Sequence, residues 1–181
     1  MVYDGVVKGK YVQLVSVTEE DAEFTLKVRQ DPRLTKYLPK VNNTLEQQRE
    51  WIRKQRLQED DYYFVAKDYN GNYVGTIGIY HLNGKTGEGG RLTSIGNALQ
   101  SLEIQYLAFR FDFDILNLEK VTAYVYADNA AAYRLSEKLG TRFEEPSVDD
   151  EGRLVCNGSM TKEQFKEAEP GIRKLLYREK Q

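Results

Sequence analysis

One histidine and one cysteine stand among the 181 residues, and their positions narrow the chemistry at once. His81 and Glu88 lie on either side of Asn83-Gly84, a dipeptide suited to a tight hairpin turn. With those two residues as the turn, Leu82 pairs with Lys85 and His81 with Thr86. Glu88 is then a diagonal neighbour of His81 at about 7–8 Å. An imidazole and a carboxylate so placed can take a proton from an ammonium or from a shared water. The competing reading is a solvated hairpin face carrying an incidental pair. Cys156 lies in the alternating run RLVCNGSM and reads as a half-buried strand residue rather than a reactive thiol. A lone cysteine forms no internal disulfide, and one cysteine with one histidine cannot complete a Cys/His zinc cage, so no metal is expected.

The chain as a whole sets the setting for that chemistry. Lys and Arg number 26 against 28 Asp and Glu, for a formal charge of -2 and a pI near 5.6. This balance argues against a general nucleic-acid or anionic-membrane binder. No apolar run approaches the roughly 18–20 residues of a spanning helix, and MVYDGVVKGKY lacks a basic-then-apolar leader. The expectation is a soluble cytoplasmic protein of one domain.

Pattern then places the elements. YVQLVSV (11–17) reads as a strand, followed by a helix with Ala22, Leu26 and Arg29 on one face that Pro32 stops. Thr44 with Gln47 opens a second helix carrying Trp51 and Ile52. From Tyr62 the runs YYFVAK, YVGTIGIYHL and 86–95 read as an antiparallel meander. Residues 97–117 are the strongest helix, with Leu99, Leu102, Tyr106, Phe109, Phe113 and Leu116 on one stripe and a second apolar stripe beside it. A strand (120–127), a short helix (129–139) ended by Gly140, and strands near 142–148 and 153–160 follow. The last stretch starts at another Thr-x-x-Gln cap and is expected to break at Pro170-Gly171. The division expected is a domain over 1–160 and a helical tail over 161–181, packed on it or trailing.

KVTAYVYADNAAAYRLSEKLG (120–140) carries Asn-x-x-Ala-x-x-Leu-x-Glu-Lys-x-Gly on a helix after a strand. It resembles the carboxy-terminal half of the GNAT N-acetyltransferase superfamily. DILNLEKV (114–121) is similar to that family's entry into the following strand. VRQDPRLTKYLP and TLEQQREWIRKQ resemble the branch with ribosomal-protein N-terminal and nucleotide-amino-sugar acetyltransferases. The element order fits from about residue 11 to 160. The resemblance implies an α/β (α+β) fold, with a mixed, mostly antiparallel central sheet flanked by helices. It also implies acetyl transfer from acetyl-CoA to a primary amine by direct attack on the thioester.

That reaction needs proton removal from the amine, a donor for the oxyanion and an exit for the thiolate. Glu88 matches a family glutamate before Gly90, with His81 beside it. Backbone N–H groups over Leu92, Thr93 and Ser94 would receive the oxyanion, and Asn129 would bond the pantetheine arm or cap its own helix. Many relatives carry a tyrosine acid at the place of Ser136. Tyr133, a turn earlier, is the substitute, or packs while the thiolate leaves to water. A gapless count puts the phosphate cradle on Gly96, Asn97, Leu99 and Ser101. Leu99 there either blocks a diphosphate or opens the apolar stripe. Arg29, Tyr37 and Trp51 would form the acceptor side. The expected partners are acetyl-CoA and a small amine such as a nucleotide-linked amino sugar, with a homodimer as one expected assembly. The alternatives are a protein N-terminal acetyltransferase, and a catalytically silent module that senses acyl-CoA or mediates assembly.

Overall fold

The β-branched and aromatic runs between residues 62 and 94 fold as the predicted meander: Tyr62–Lys67 (β3), Tyr73–Asn83 (β4) and Thr86–Ser94 (β5), each antiparallel to the next. In the computed structural model, which describes residues 1–177, Val7–Lys8 (β1) and Gln13–Ser16 (β2) extend this sheet on one side. Lys120–Tyr126 (β6), Leu154–Thr161 (β9) and Arg142–Phe143 (β7) extend it on the other, and Ser147–Val148 (β8) also pairs with β9. Every pairing is antiparallel except β5 with β6, whose parallel register requires a crossover. Ala98–Arg110 (α3) supplies that crossover.

The helices divide between the two faces. Ala22–Gln30 (α1) and Leu45–Leu57 (α2) cover one, burying Ala22 and Ile52 against Val17, Tyr63 and Val65. On the other, α3 lays Leu102, Ile104, Tyr106, Leu107 and Phe109 into the larger core. Ala130–Lys138 (α4), through Leu135, and Lys162–Leu176 (α5), through Phe165, Ile172 and Leu176, join that core. The Thr44 and Thr161 caps form as read, each hydroxyl accepting from an N–H three residues on.

Three expectations change. The carboxy-terminal helix does not break at Pro170-Gly171, because core side chains on both sides of Pro170 hold its two halves in one line. Of the 161–181 segment, residues 178–181 lie outside the described part. The long helix is α-helical only to Arg110; Phe111–Ile115 is a π-helical turn, with Leu116 N–H reaching back to the Phe111 carbonyl at 2.9 Å. The first strand was not read from the sequence. Its turn is held by Glu103, fully buried on α3, which accepts from the N–H groups of Lys10, Tyr11 and Val12 at 2.7–2.8 Å.

Candidate active site

β5 and β6 pair only from Thr86↔Lys120 to Gly89↔Ala123. Past that point β5 stays on β4 as far as Gly75↔Ser94, and β6 stays on β9 as far as Tyr126↔Val155. The two strands therefore part, and a cleft of about 460 Å³ opens between them. Gly90–Ser94 form one wall, and β6 with Asn129, Ala132 and Leu135 the other. The inward edge of β5 thus offers main-chain donors and acceptors to an extended, amide-bearing arm.

The parting begins at a bulge. Thr76 pairs with Thr93 and Gly78 with Gly90, so β5 carries one residue more than β4 over this step. Arg91 takes the strain with φ of +55°. Its guanidinium makes a bidentate pair with buried Asp61, both bonds 2.6 Å, and lies 4.5 Å from the Tyr80 ring centre and 5.5 Å from that of Trp51. Beneath the bulge, fully buried Thr76 donates its hydroxyl to the Arg91 carbonyl at 2.9 Å and lies 2.7 Å from the Thr93 hydroxyl.

The β4–β5 turn corrects the predicted register. Gly84 and Lys85 form the two-residue loop and Asn83 pairs with Thr86, as fits Gly84 at the positive-φ first turn position. A second bulge at His81, with φ of +52°, absorbs the offset. It turns the imidazole onto Glu88, Nδ1 to Oε2 at 3.0 Å, closer than a diagonal pairing gives. Neither side chain lines the cleft; His81 is exposed and borders a separate hollow beside Asp60 and Tyr80. Tyr80, which the sequence reading passed over, borders the same hollow and contacts Glu88. Its hydroxyl lies 3.2 Å from Glu88 Oε1 and over Gly90, where a Cβ would collide with it. Burial, then the Glu88 charge, pushes that phenol up to about 12.

The expected phosphate cradle is differently built. Asn97 caps α3 and its Oδ1 accepts from the N–H groups of Leu99 and Gln100, both at 3.0 Å, so two donors expected for an anion are already bonded within the chain. Leu99 is 40% exposed and lies outside the cleft wall, and it therefore neither continues the buried stripe nor blocks the slot. Gly96 and Asn97 also lie outside that wall, whereas Leu92, Thr93, Ser94 and Ser101 line it, the last two with hydroxyls 2.7 Å apart.

On α4, Asn129 lines the cleft and caps the helix by accepting from Ala132 N–H. Tyr133 does not project into the cleft: its ring stacks on Phe143 at 4.3 Å, which fits the packing alternative and not the acid. Ser136 is buried on the wall and accepts from Gln105 Nε2 at 3.1 Å.

The acceptor trio is split. Tyr37 lines the mouth and donates to the Asp128 carbonyl at 2.9 Å. Trp51 packs edge-on to Tyr63 behind the bulge, and Arg29 donates to the Pro39 carbonyl; both lie outside the cleft because α1 and α2 cover the opposite sheet face. Burial lowers the Arg29 pKa. In their place Arg33, Lys36, Tyr124 and Tyr126 line the mouth, with Tyr37 tilted against Tyr126 and Arg153 over the Tyr126 ring at 4.2 Å. The alternation Tyr124-x-Tyr126 on a strand was the available signal for this wall.

Among the described residues, no group of three or more His, Cys, Asp or Glu side chains is placed to hold a metal ion, and no helix is long and apolar enough to cross a membrane. Cys156 is buried on β9, not half-buried as expected, and its neighbour Val155 is buried with it, so the run does not alternate there.

Comparison with known proteins agrees with this geometry. An SPbeta prophage-derived uncharacterized N-acetyltransferase, YokL, of Bacillus subtilis (strain 168) is 31% identical over 108 residues, covering 58% of this chain and 59% of that relative. The match thus spans less than two thirds of either chain. Among solved structures, one described as apo FdhC, a nucleotide-linked sugar GNAT, superposes with a TM-score of 0.79 at 24% identity, covering 97% of both chains. A spermidine N-acetyltransferase from Vibrio cholerae, solved with CoA and spermine, gives 0.79 at 18% identity over 87% of this chain and 99% of that one. At these identities the two structures share the fold. The model of the acetyltransferase (GNAT) domain matches residues 12–142, and the chain belongs to the GNAT acetyltransferase family.

Proposed function

We propose that this protein transfers the acetyl group of acetyl-CoA to a primary amine on a nucleotide-linked sugar. Acetyl-CoA supplies the acyl group activated as a thioester. The unpaired edge of β5, with Asn129 across the cleft, suits its amide-bearing arm. The backbone N–H groups of Leu92 and Ser94, which alternate away from β4, would receive the oxyanion. Proton removal runs from the amine beside Gly90 through the Tyr80 hydroxyl to Glu88, with His81 stabilising the second carboxylate oxygen.

The acceptor class rests on the wall at the mouth. Arg33, Lys36, Tyr37, Tyr124 and Tyr126 offer cations for a diphosphate and aromatic faces for a base. The only carboxylic acid on the cleft wall among the described residues is Asp112, which is fully buried, so a polycation finds no acidic lining there. The FdhC structure's description as a nucleotide-linked sugar GNAT supports the same class. The test incubates the protein with acetyl-CoA and a panel of nucleotide-linked amino sugars, polyamines and peptides with free amino termini, read by mass spectrometry. Acetylation of a nucleotide-linked sugar at least tenfold faster than of spermidine or peptide is expected. A preference for spermidine or for peptide would overturn the assignment.

A further inference from the structure

The floor of the cleft holds polar groups that the steps above do not use. Asp112 is 2% exposed and lines the cleft, and its Oδ1 has no hydrogen-bond partner among the described residues. Thr141, 5% exposed, lines the same cleft with a hydroxyl that likewise has no partner among the described residues, and Ser136 of α4, on the same wall, accepts from Gln105 of α3. Unpaired polar atoms facing a cavity are what an ordered water satisfies.

Asp112 is level with the point where β5 and β6 part. Its neighbour Phe111 packs edge-on to Tyr62 and Phe64, at 5.1 and 4.8 Å. Those two residues pair with Ile79 and Ile77, and Ile79 pairs with Gly89, the last β5 residue bonded to β6. The π-helical turn lies at this level, where the helix widens.

Among the described residues, no cation forms an ion pair with Asp112. Of the three cations of the cleft, Arg91 bonds buried Asp61, and Arg33 and Lys36 stand at the solvent-exposed mouth, next to Asp31 and Asp128. An unpaired buried carboxylate is costly, which favours the protonated form. Burial alone raises its pKa well above the usual carboxylate range.

We propose that Asp112 is the acid that returns a proton to the departing thiolate, through a water held at its unpartnered carboxyl oxygen. The inference rests on the acetyl transfer proposed above. As the tetrahedral adduct collapses, the C–S electron pair goes to sulfur. Sulfur takes a proton from the water, and the water takes one from Asp112. The carboxylate so formed recovers a proton from solvent before the next turnover, so atoms and charge balance without any redox partner. A thiol of pKa about 8.5 is a fair leaving group unaided, so the acid contributes at the lower end of the usual range.

The test compares Asp112→Asn, an isosteric and neutral change, with the natural protein in single turnover. The expected result is a loss of about 10²-fold in the acetyl-transfer rate, with acetyl-CoA affinity and melting temperature unchanged. The solvent deuterium isotope effect on that step should fall toward unity, which a purely structural role would not produce. Infrared difference spectroscopy of the resting proteins at pH 7 should show a protonated carboxyl band that Asp112→Asn lacks. An unchanged rate in the variant overturns the proposal. So does an ionised Asp112 in the resting spectrum, whether or not the variant folds. Failure of the natural protein to acetylate any amine would instead refute the parent reading, and the infrared result would still report on Asp112.

Discussion

Thr76→Val removes the one hydroxyl that ties the β5 bulge to its neighbouring strand. Thr76 is fully buried, donates to the Arg91 carbonyl at 2.9 Å and shares a 2.7 Å bond with Thr93, itself 3% exposed. Valine keeps the shape and loses both bonds. Each neutral bond contributes about 1 kcal/mol, and the orphaned Thr93 hydroxyl and Arg91 carbonyl add a desolvation penalty, for a total of about 2–4 kcal/mol. The extra methyl returns less than about 1 kcal/mol, so the net loss is about 2–3 kcal/mol. Thr93→Val should cost only about 1 kcal/mol, because Thr76 then keeps its bond to Arg91. The double variant should be no worse than Thr76→Val alone, since it removes the orphaned hydroxyl. Urea unfolding measures all three. Because the bulge sets the width of the cleft, Thr76→Val should also weaken acetyl-CoA binding about tenfold, or about 1.4 kcal/mol, by calorimetric titration. A Thr76→Val protein within about 0.5 kcal/mol of the natural one, with unchanged acetyl-CoA affinity, would refute the claim that this hydroxyl holds the bulge.

Glu88→Gln should lower kcat/KM about 10²–10⁴-fold with an unchanged thermal melt, and Tyr80→Phe should lower it too, because its hydroxyl joins Gly90 to Glu88; retention of activity by both variants would remove this route. Leu99→Gly should cost about 1 kcal/mol, the helix-propensity difference for an exposed position, since the side chain is 40% exposed; a urea midpoint reporting the roughly 2–5 kcal/mol of a core truncation would show that Leu99 is packed. Asp21 predicts an acid-side effect. Its burial works to raise the pKa, but bonds from the Tyr73 hydroxyl, the Thr18 N–H and Lys67 outweigh it and the net shift is downward. A depressed native pKa gives stability that is present above the unfolded value of about 3.9 and lost as pH falls through the native one. The stability difference between the natural protein and Asp21→Asn should therefore shrink as pH drops below about 4, and a constant difference across that range would contradict the sign.

The sheet and its helices were legible because periodicity reports burial directly. The runs from Tyr62 to Ser94 alternate or fill as strands against two helical layers, and the Thr44 and Thr161 caps carry a local signal. Contacts that depend on one inserted residue were not legible. The bulges at His81 and Arg91 each place a non-glycine at positive φ, a conformation no spacing rule assigns to histidine or arginine. The His81–Glu88 pair was found with the wrong register, because the bulge compensates for the shifted turn. Trp51 and Arg29 were assigned by helix, which fixes a face but not the side of the sheet on which the cleft opens. Asp112 was readable only as a carboxylate between two phenylalanines in an apolar helix, a pattern that shows burial without showing what the group faces.

Arg91 explains how the bulge persists. A non-glycine residue at positive φ costs of order 1–3 kcal/mol, and here the side chain of the strained residue supplies the compensation. Its guanidinium is fixed by Asp61 and lies near the Trp51, Tyr63 and Tyr80 rings on the sheet face covered by α1 and α2. Its backbone, meanwhile, lies on the cleft wall, with its carbonyl held by Thr76. Anchoring and opening are thus assigned to opposite ends of one residue. The residues that fix the bulge are therefore buried ones, Asp61 and Thr76, while Tyr37, Tyr124 and Lys36, proposed above to meet the acceptor, stand at the mouth and can vary without disturbing the bulge.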